Sequence, residues 1–319
     1  MGAVPNCATA KTGDTLCDPA RVVTLPAPSY PVACYRMAVR VAKKGDEGKI
    51  SSALARLMEE DPTLSYENNA ETHQQVIGGL GEQHLTAVVS KLKEDFGVEV
   101  VLSVPKIAYR ETIRKKVKVQ GKYKKQSGGH GQYGDVWIEF EPYPSDELVF
   151  EEKVFGGAVP RNFFPAVEKG LQESFTKGVL AGFPMVGVKA ILVDGSYHPV
   201  DSSEMSFKTA ASLAYKEGMK QAEPTLLEPM GSLEVSIPDD CTGDIMGDLN
   251  KRRGRVLGMN PGDEGMTVIQ AEVPLREMAD YALQLRQMTQ GEGVFRITPA
   301  LYQQLPSNLV AEVIASASE

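Results

Sequence analysis

The sequence predicts a multidomain α+β protein in which two units of the order βαββαβ flank a third unit of different design. Three observations predict it. The same succession of strand and helix patterns occurs twice, near residues 32–105 and again near 227–299. The stretch between them carries long strand-like runs and only two helical ones. At 319 residues the chain is also longer than one ordinary core organises, the usual scale being about 150 residues per domain.

The first thirty residues are rich in Pro, Gly, Asp and Thr and end in Leu25-Pro26-Ala27-Pro28-Ser29-Tyr30-Pro31, a linker pattern. From Cys34, Tyr35, Met37, Val39 and Val41 alternate with Arg36, Ala38 and Arg40, the period of a half-buried strand. Residues 46–60 then place Ile50, Ala53, Leu54, Leu57 and Met58 on one helical face, with Pro62 just beyond. Short strands are expected near 64–66 and 74–77. A second helix carries Leu85, Val88, Val89, Leu92 and Phe96 and stops at Gly97, before a strand over 98–104.

The second copy begins with a strand over 232–237 and a helix over 242–253 that ends at Gly254. Two strands flank the turn at 261–265, a helix presents Leu275, Met278, Ala279, Ala282 and Leu285, and a strand over 294–298 closes the set. Both copies are expected to be ferredoxin-like.

The middle unit has strand-like stretches around 107–119, 131–141 and 149–154. One of its helices follows Pro160 with Phe163, Val167, Leu171 and Phe175, and the other begins at Asp201. After the last strand, Pro306 and Ser307 start a terminal helix striped with Leu309, Val310, Val313 and Ile314. The pattern does not say which unit that stripe packs on.

Hydrophobic residues at 42% and charged residues at 24% are ordinary globular composition. No run approaches the roughly 20 apolar residues of a membrane span, and the N-terminus lacks a signal-peptide pattern, so the chain reads as cytoplasmic, without a membrane partner. Cys7, Cys17, Cys34 and Cys241 are scattered and indicate neither a disulfide framework nor a zinc site. The net charge of -8 argues against indiscriminate nucleic-acid binding, yet seven of the twelve residues from Arg114 to Lys125 are Lys or Arg. A second basic cluster holds Lys251, Arg252, Arg253 and Arg255.

Several motifs reduce to plain structure. Gly129, Gly131 and Gly134 match the dinucleotide fingerprint, but they lead into a strand where that motif must open a helix. The GTPase phosphate loop G-x-x-x-x-G-K-[ST] is absent, its nearest echo being Gly45-Asp46-Glu47-Gly48-Lys49, a turn and helix start. His198, Asp201, Ser202 and Ser203 hold the residue types of a hydrolytic triad, but crowded into six positions they read better as a capped helix start. His73, His84 and His130 have no metal-ligand spacing. Richer chemistry lies in residues 122–134, where Lys122, Lys124 and Lys125 precede Gln126, Ser127, Gly128, Gly129 and His130. Cations there attract phosphate, Tyr and His stack or hydrogen-bond, and Gly exposes backbone N–H groups. A solvated basic hairpin is the plainer reading of the same residues.

Further strings resemble the elongation factor G family from its third to its fifth domain. They are A-L-A-R-L-M-E-E-D-P-T-L at 53–64, G-G-L-G-E-Q-H-L at 78–85, P-K-I-A-Y-R-E-T-I at 105–113 and Q-S-G-G-H-G-Q-Y-G at 126–134. L-A-G-F-P at 180–184, G-S-Y-H-P-V-D-S-S-E at 195–204, L-L-E-P at 226–229 and G-D-L-N-K-R-R-G at 247–254 complete the set. The resemblance implies a remnant of a β-barrel second domain with linker over 1–31 and ferredoxin-like domains III and V over 32–105 and 227–299. It further implies a domain IV over 106–226 of the ribosomal protein S5 domain 2-like fold with a left-handed βαβ crossover, and a helix over 300–319 that packs on domain IV.

In function the resemblance implies the C-terminal part of a translocation GTPase. GTP and Mg2+ would belong to a G domain outside this chain, which itself would hold no cofactor and no catalytic residue. Its partners would be the ribosome, its rRNA and the tRNA–mRNA pair. Ser196, Tyr197, His198 and Pro199, with Gln126, Ser127, Gly128, Gly129 and His130, would form the tip that enters the small-subunit decoding site. Lys122, Lys124, Lys125, Arg252, Arg253 and Arg255 would meet RNA phosphates, the arginines near the large-subunit factor-binding centre. His130, Pro199 and Gln83 depart from the family's common Arg, acid and Leu. Those departures leave open a divergent paralogue acting in recycling, rescue or antibiotic protection, and the chain could also be a stand-alone RNA-binding module.

Overall fold

The structure, a computed structural model, describes residues 12–43, 45–126, 131–263 and 265–317. The chain divides into two compact units, one of Met1–Ile107 with Pro229–Leu301 and one of Ala108–Glu228 with Tyr302–Glu319.

The first unit contains both βαββαβ sets. In the earlier one, β1 (Tyr35–Val41), α1 (Glu47–Glu60), β2 (Ser65–Asn69), β3 (Gln74–Gly79), α2 (Glu82–Glu94) and β4 (Val100–Ser103) follow in the expected order. The sheet order is β2-β3-β1-β4 with every pairing antiparallel, which is the ferredoxin-like arrangement. Ile50, Ala53, Leu54 and Leu57 line one face of α1 and Leu85, Val88 and Leu92 one face of α2, and both faces close on Val39 and Ile77. Gly97 ends α2 with φ +65, and the N–H of Val98 returns to the Leu92 carbonyl at 2.9 Å. His84 is a structural residue: its Nδ1 accepts from Leu80 N at 3.1 Å while Nε2 reaches Asp61 at 2.9 Å.

The later set places β11 (Arg255–Pro261), β12 (Met266–Pro274), β10 (Pro224–Pro238) and β13 (Val294–Gln304) side by side in the order β11-β12-β10-β13. Its helices are α5 (Thr242–Lys251) and α6 (Tyr281–Met288). Two local expectations change. The single helix expected from Leu275 is a 3-10 turn over Leu275–Met278 followed by α6, so Met278, Tyr281 and Leu285 reach the core while Ala279 stays exposed. At the end of α5 the left-handed residue is Arg253, at φ +60, and not Gly254. Gly254 is required by space instead, because a Cβ there would lie 2.9 Å from the Leu249 carbonyl oxygen.

In the second unit, β5 (Arg110–Ile113) pairs with Pro224–Leu227 of β10. β6 (Val117–Lys125), β7 (Gln132–Pro142), β9 (Val188–Ser196) and β8 (Val149–Glu152) form a separate sheet in that order. The stretch expected as one strand over 107–119 breaks between β5 and β6, where Arg114 N and Lys115 N both donate to the Ala222 carbonyl. β8 and β9 are parallel and are joined through α3 (Phe164–Phe175), and the other neighbours are antiparallel. α4 begins at Glu204 with Ser203 as its cap, three residues later than expected, and runs to Gln221. α7 (Ser307–Ala317) belongs to this unit, with Val313 buried.

Two devices set the second unit. α4 lies against the sheet through glycines: a Cβ on Gly121 would collide with the Ala210 carbonyl, and one on Gly134 would sit 2.5 Å from the Ser206 carbonyl. Gly170 does the same between α3 and α4, where a Cβ would stand 2.6 Å from the Lys208 carbonyl. Meanwhile Glu111, fully buried on β5, accepts backbone N–H bonds from Leu180, Ala181, Gly182 and Phe183 at 2.8–3.2 Å. Buried carboxylates are tolerated only when so satisfied.

The glycine contact yields a prediction. Gly134→Ala should lower the unfolding midpoint by several degrees, the effect of about 1–3 kcal/mol of overpacking. Gly243→Ala on α5, where an added Cβ meets nothing within 4 Å, should leave the midpoint unchanged or raise it. Scanning calorimetry on both variants checks this, and equal midpoints would mean that α4 can retreat from the sheet.

Candidate nucleic-acid interface

The loop between β9 and α4 and the hairpin of β6 with β7 meet through side chains. Tyr133, opposite Lys124 in the hairpin, donates its hydroxyl to Ser196 Oγ at 2.7 Å, and Ser196 donates onward to Asp135 Oδ2 at 2.7 Å. Gln120 Nε2 supplies the other Asp135 oxygen at 2.8 Å. Asp135 is therefore a buried acceptor filled from both sides, and it joins β6, β7 and β9. Sequence reasoning includes Tyr133 within the stretch 122–134 but misses Asp135 and Gln120 as parts of the site. The one available signal is an acid in the strand alternation directly before Val136.

Backbone bonds then fix the loop itself. Tyr133 N donates to the Asp201 carbonyl at 2.8 Å, Ser202 Oγ donates to the Tyr133 carbonyl at 3.0 Å, and Gly131 N donates to Asp201 Oδ1 at 2.9 Å. Within the loop, His198 N donates to Ser202 Oγ at 2.8 Å and Ser202 N returns to the His198 carbonyl at 3.1 Å. Ser203 Oγ accepts from Ser206 N at 3.2 Å, which makes it the helix cap. Asp201, expected as part of that helix start, holds Gly131 instead.

His198 stands on this frame with its side chain half exposed. Its Nδ1 faces Val200 N at 3.3 Å, Asp201 N at 3.1 Å and also the Asp201 carboxylate at 3.3 Å. Those contacts cannot all be satisfied together, because the amides need a lone pair on Nδ1 and the carboxylate needs a proton there. Two amide donors outweigh one stretched carboxylate contact, so Nδ1 is the acceptor and Nε2 carries the hydrogen. The N–H on Nε2 has no hydrogen-bond partner among the described residues, and Tyr133 stands edge-on to the ring at 6.5 Å between centroids.

Neither serine hydroxyl reaches the imidazole, so the residue types of a triad are assembled here without its geometry. The echo of a phosphate loop fails likewise. Gly45 N donates to Glu47 Oε2 at 2.8 Å and Asp46 pairs with Lys49 at 2.8 Å, so this turn is filled by its own acids.

Around His198, Tyr197, Pro199 and Val200 are exposed, whereas Ser196 is half-buried and engaged with Tyr133 and Asp135. Ser196 thereby helps to position the loop. Lys122, Lys124 and Lys125 are exposed on β6, and Lys122 Nζ lies 5.8 Å from the Tyr133 ring centre. Gln126 is exposed at the strand end, and Ser127, Gly128, Gly129 and His130 lie outside the described residues.

The arginine cluster is in the first unit and is divided in role. Arg252 is almost covered: Nε meets Asp248 at 2.7 Å, its guanidinium also bonds the Glu277 carbonyl and Asp280, and Tyr281 lies under it. The bond from Arg252 holds the Asp280 carboxyl below its usual range. Arg253 is tied to Glu277 at 3.1 Å. Arg255 pairs with Glu272 at 2.7 Å but keeps 70% of its side chain exposed. Of the three expected phosphate contacts, Arg255 keeps the most exposed side chain.

The described residues thus form two ferredoxin-like sheets and an α+β unit built on a parallel β8–β9 pair, with a histidine loop pinned by backbone. Family models described as "Elongation Factor G, domain III", "Elongation factor G, domain IV" and "Elongation factor G C-terminus" match residues 30–104, 105–223 and 225–313. The chain belongs to the elongation factor G family. A crystal structure of a Thermus thermophilus protein is similar over 92% of this chain at 44% identity with a TM-score of 0.81. The match spans 44% of that longer chain.

The pinned loop can be tested directly. Ser202→Ala removes the acceptor of His198 N, and its amide should exchange roughly tenfold faster, the effect of about 1.4 kcal/mol of local opening. Hydrogen exchange by NMR reads this, and the same spectra should show the Nε2–H tautomer of His198 in the wild type. Unchanged protection would mean that the loop is held by something other than Ser202.

Proposed function

We propose that this chain works as the ribosome-engaging part of an elongation factor G-type GTPase and promotes movement of tRNA and mRNA during elongation. The loop of Tyr197, His198 and Pro199 enters the small-subunit decoding site, flanked by Gln126 and the basic hairpin. The observation that carries this reading is the half-exposed His198 ring, anchored at Nδ1 by backbone and without a partner at Nε2 among the described residues. A rigid donor in an exposed loop suits holding an RNA pair in place, and it suits bond breaking poorly.

GTP and Mg2+ act in the G domain of the whole protein, and the ferredoxin-like domain of residues 30–104 passes its rearrangement to the tip. Lys122, Lys124 and Lys125 supply phosphate attraction at the decoding site. Arg255 does so at the large subunit, with Arg252 and Arg253 shaping the support behind it. Pro199 favours a second reading. It puts a rigid, neutral residue where the family commonly has an acid, which fits a paralogue acting in recycling or rescue. Complementation of cells depleted of their ordinary factor separates the two.

In the full-length protein, His198→Ala should slow tRNA–mRNA movement about tenfold or more, equivalent to about 1.4 kcal/mol or more on the barrier. Ribosome-stimulated GTP hydrolysis should stay near the wild-type rate. Pre-steady-state translocation and phosphate-release assays measure the two, and equal loss of both would overturn the assignment of the tip.

A further inference from the structure

α3 and α4 leave between them an open groove of about 640 Å³ in the second unit. Four lysines line it, Lys177, Lys208, Lys216 and Lys220, against the single acid Glu173. Glu173 is already tied to Lys208 at 2.7 Å, while Lys177, Lys216 and Lys220 make no ion pair among the described residues. The neighbouring Glu217 is turned to Gln221, whose amide it accepts at 2.6 Å. On a chain of net charge -8, three such cations along one groove are a local reversal of sign.

The other groups in the groove narrow the ligand. Ser174 and Thr209 give their hydroxyls to the carbonyls of Gly170 and Met205 at 2.7 and 2.9 Å, so the lysines are its remaining charged donors. Tyr215 is buried against Phe175 and donates its hydroxyl to the Lys177 carbonyl. The groove therefore offers no open aromatic face, which single-stranded nucleic acid uses for base stacking. It also lacks the aromatic anchors that centre protein interfaces. Lys216 and Lys220 are one turn apart on α4, about 6 Å along the axis, and Lys216 lies about 18 Å from the helix start at the histidine loop. A row of point charges of that kind tracks a phosphate backbone and reads no sequence.

We propose that the α3–α4 groove is a second RNA-binding surface, which takes the sugar–phosphate backbone of a double-helical RNA through Lys177, Lys216 and Lys220. It rests on the reading above only in expecting RNA at hand, and it assigns the groove a contact separate from the histidine loop. The surface would hold the unit on RNA while the loop acts.

Fluorescence anisotropy of the 319-residue chain with a labelled, fully paired RNA hairpin over a salt series tests it. The triple variant Lys177→Ala, Lys216→Ala, Lys220→Ala should lower the slope of log Kd against log salt by about two to three, near one per lost phosphate contact. The corresponding triple Arg variant should restore the wild-type slope. Lys220→Ala alone, with an expected slope loss of about one, replaces the Ala triple if that variant unfolds. An Ala triple that keeps the wild-type slope and affinity overturns the proposal. So does loss of binding to poly-glutamate with RNA binding intact, which would assign the groove to an acidic protein. Failure of the tip reading would appear as normal translocation in His198→Ala and would leave the slope difference standing.

Discussion

The second unit depends on how closely α4 approaches its sheet. Residues with even one methyl group at 121 or 134 would press into the helix backbone at Ala210 or Ser206. Contact between main chains at this distance leaves little freedom to slide or rotate. α4 starts at the histidine loop, so its seat fixes where Ser203, Ser202 and Asp201 stand and thereby where His198 points. Two glycines of the pattern that resembles a nucleotide fingerprint are thus explained by packing. Gly134 admits the first turn of α4, and a Cβ on Gly131 would lie 3.0 Å from the Asp201 carboxylate.

Glu111 plays the corresponding part on the side of β5. Its carboxylate gathers four consecutive N–H groups of the L-A-G-F-P loop, and Gly178 is a glycine because a Cβ would run into that carboxylate. Two strings separated by some seventy residues are in this way one structural object. The loop's own backbone also pairs with β5, since Glu111 N meets the Pro184 carbonyl and Val186 N meets the Glu111 carbonyl, both at 2.9 Å. Removal of the carboxylate would strand several buried donors together, a larger loss than any single hydrogen bond.

What the sequence makes legible follows from how each element is buried. Helices α1, α2 and α3 have one apolar face and one wet face, so their stripes stand out, and β1 and β7 alternate for the same reason. β9 leaves no such trace. Its Ala190, Ile191 and Leu192 are all buried, and a strand lying between two neighbours with no wet face shows no alternation. Sequence misplaces the start of α4 because Asp201 and Ser203 are both good caps, and only the tertiary bond from Gly131 decides that Asp201 is engaged elsewhere. In the arginine cluster, spacing reveals the charges but not their partners. Asp248 is one helical turn away, whereas Glu277 and Asp280 come from a distant segment.

The histidine loop shows why residue types alone misjudge chemistry. Catalysis by a triad needs hydroxyl, imidazole and carboxylate in series, each with a free valence for the next. Here the main bonds end on backbone: Ser202 on Tyr133 and His198, Ser203 on the first turn of α4, Asp201 on Gly131, and His198 Nδ1 on two amides. Such bonding removes slack from the ring. One ring N–H is left without a partner among the described residues, and its position is as well fixed as the loop backbone that precedes α4. The product of this geometry is a donor of fixed position, because each ångström of looseness in the loop would cost precision in whatever the ring meets.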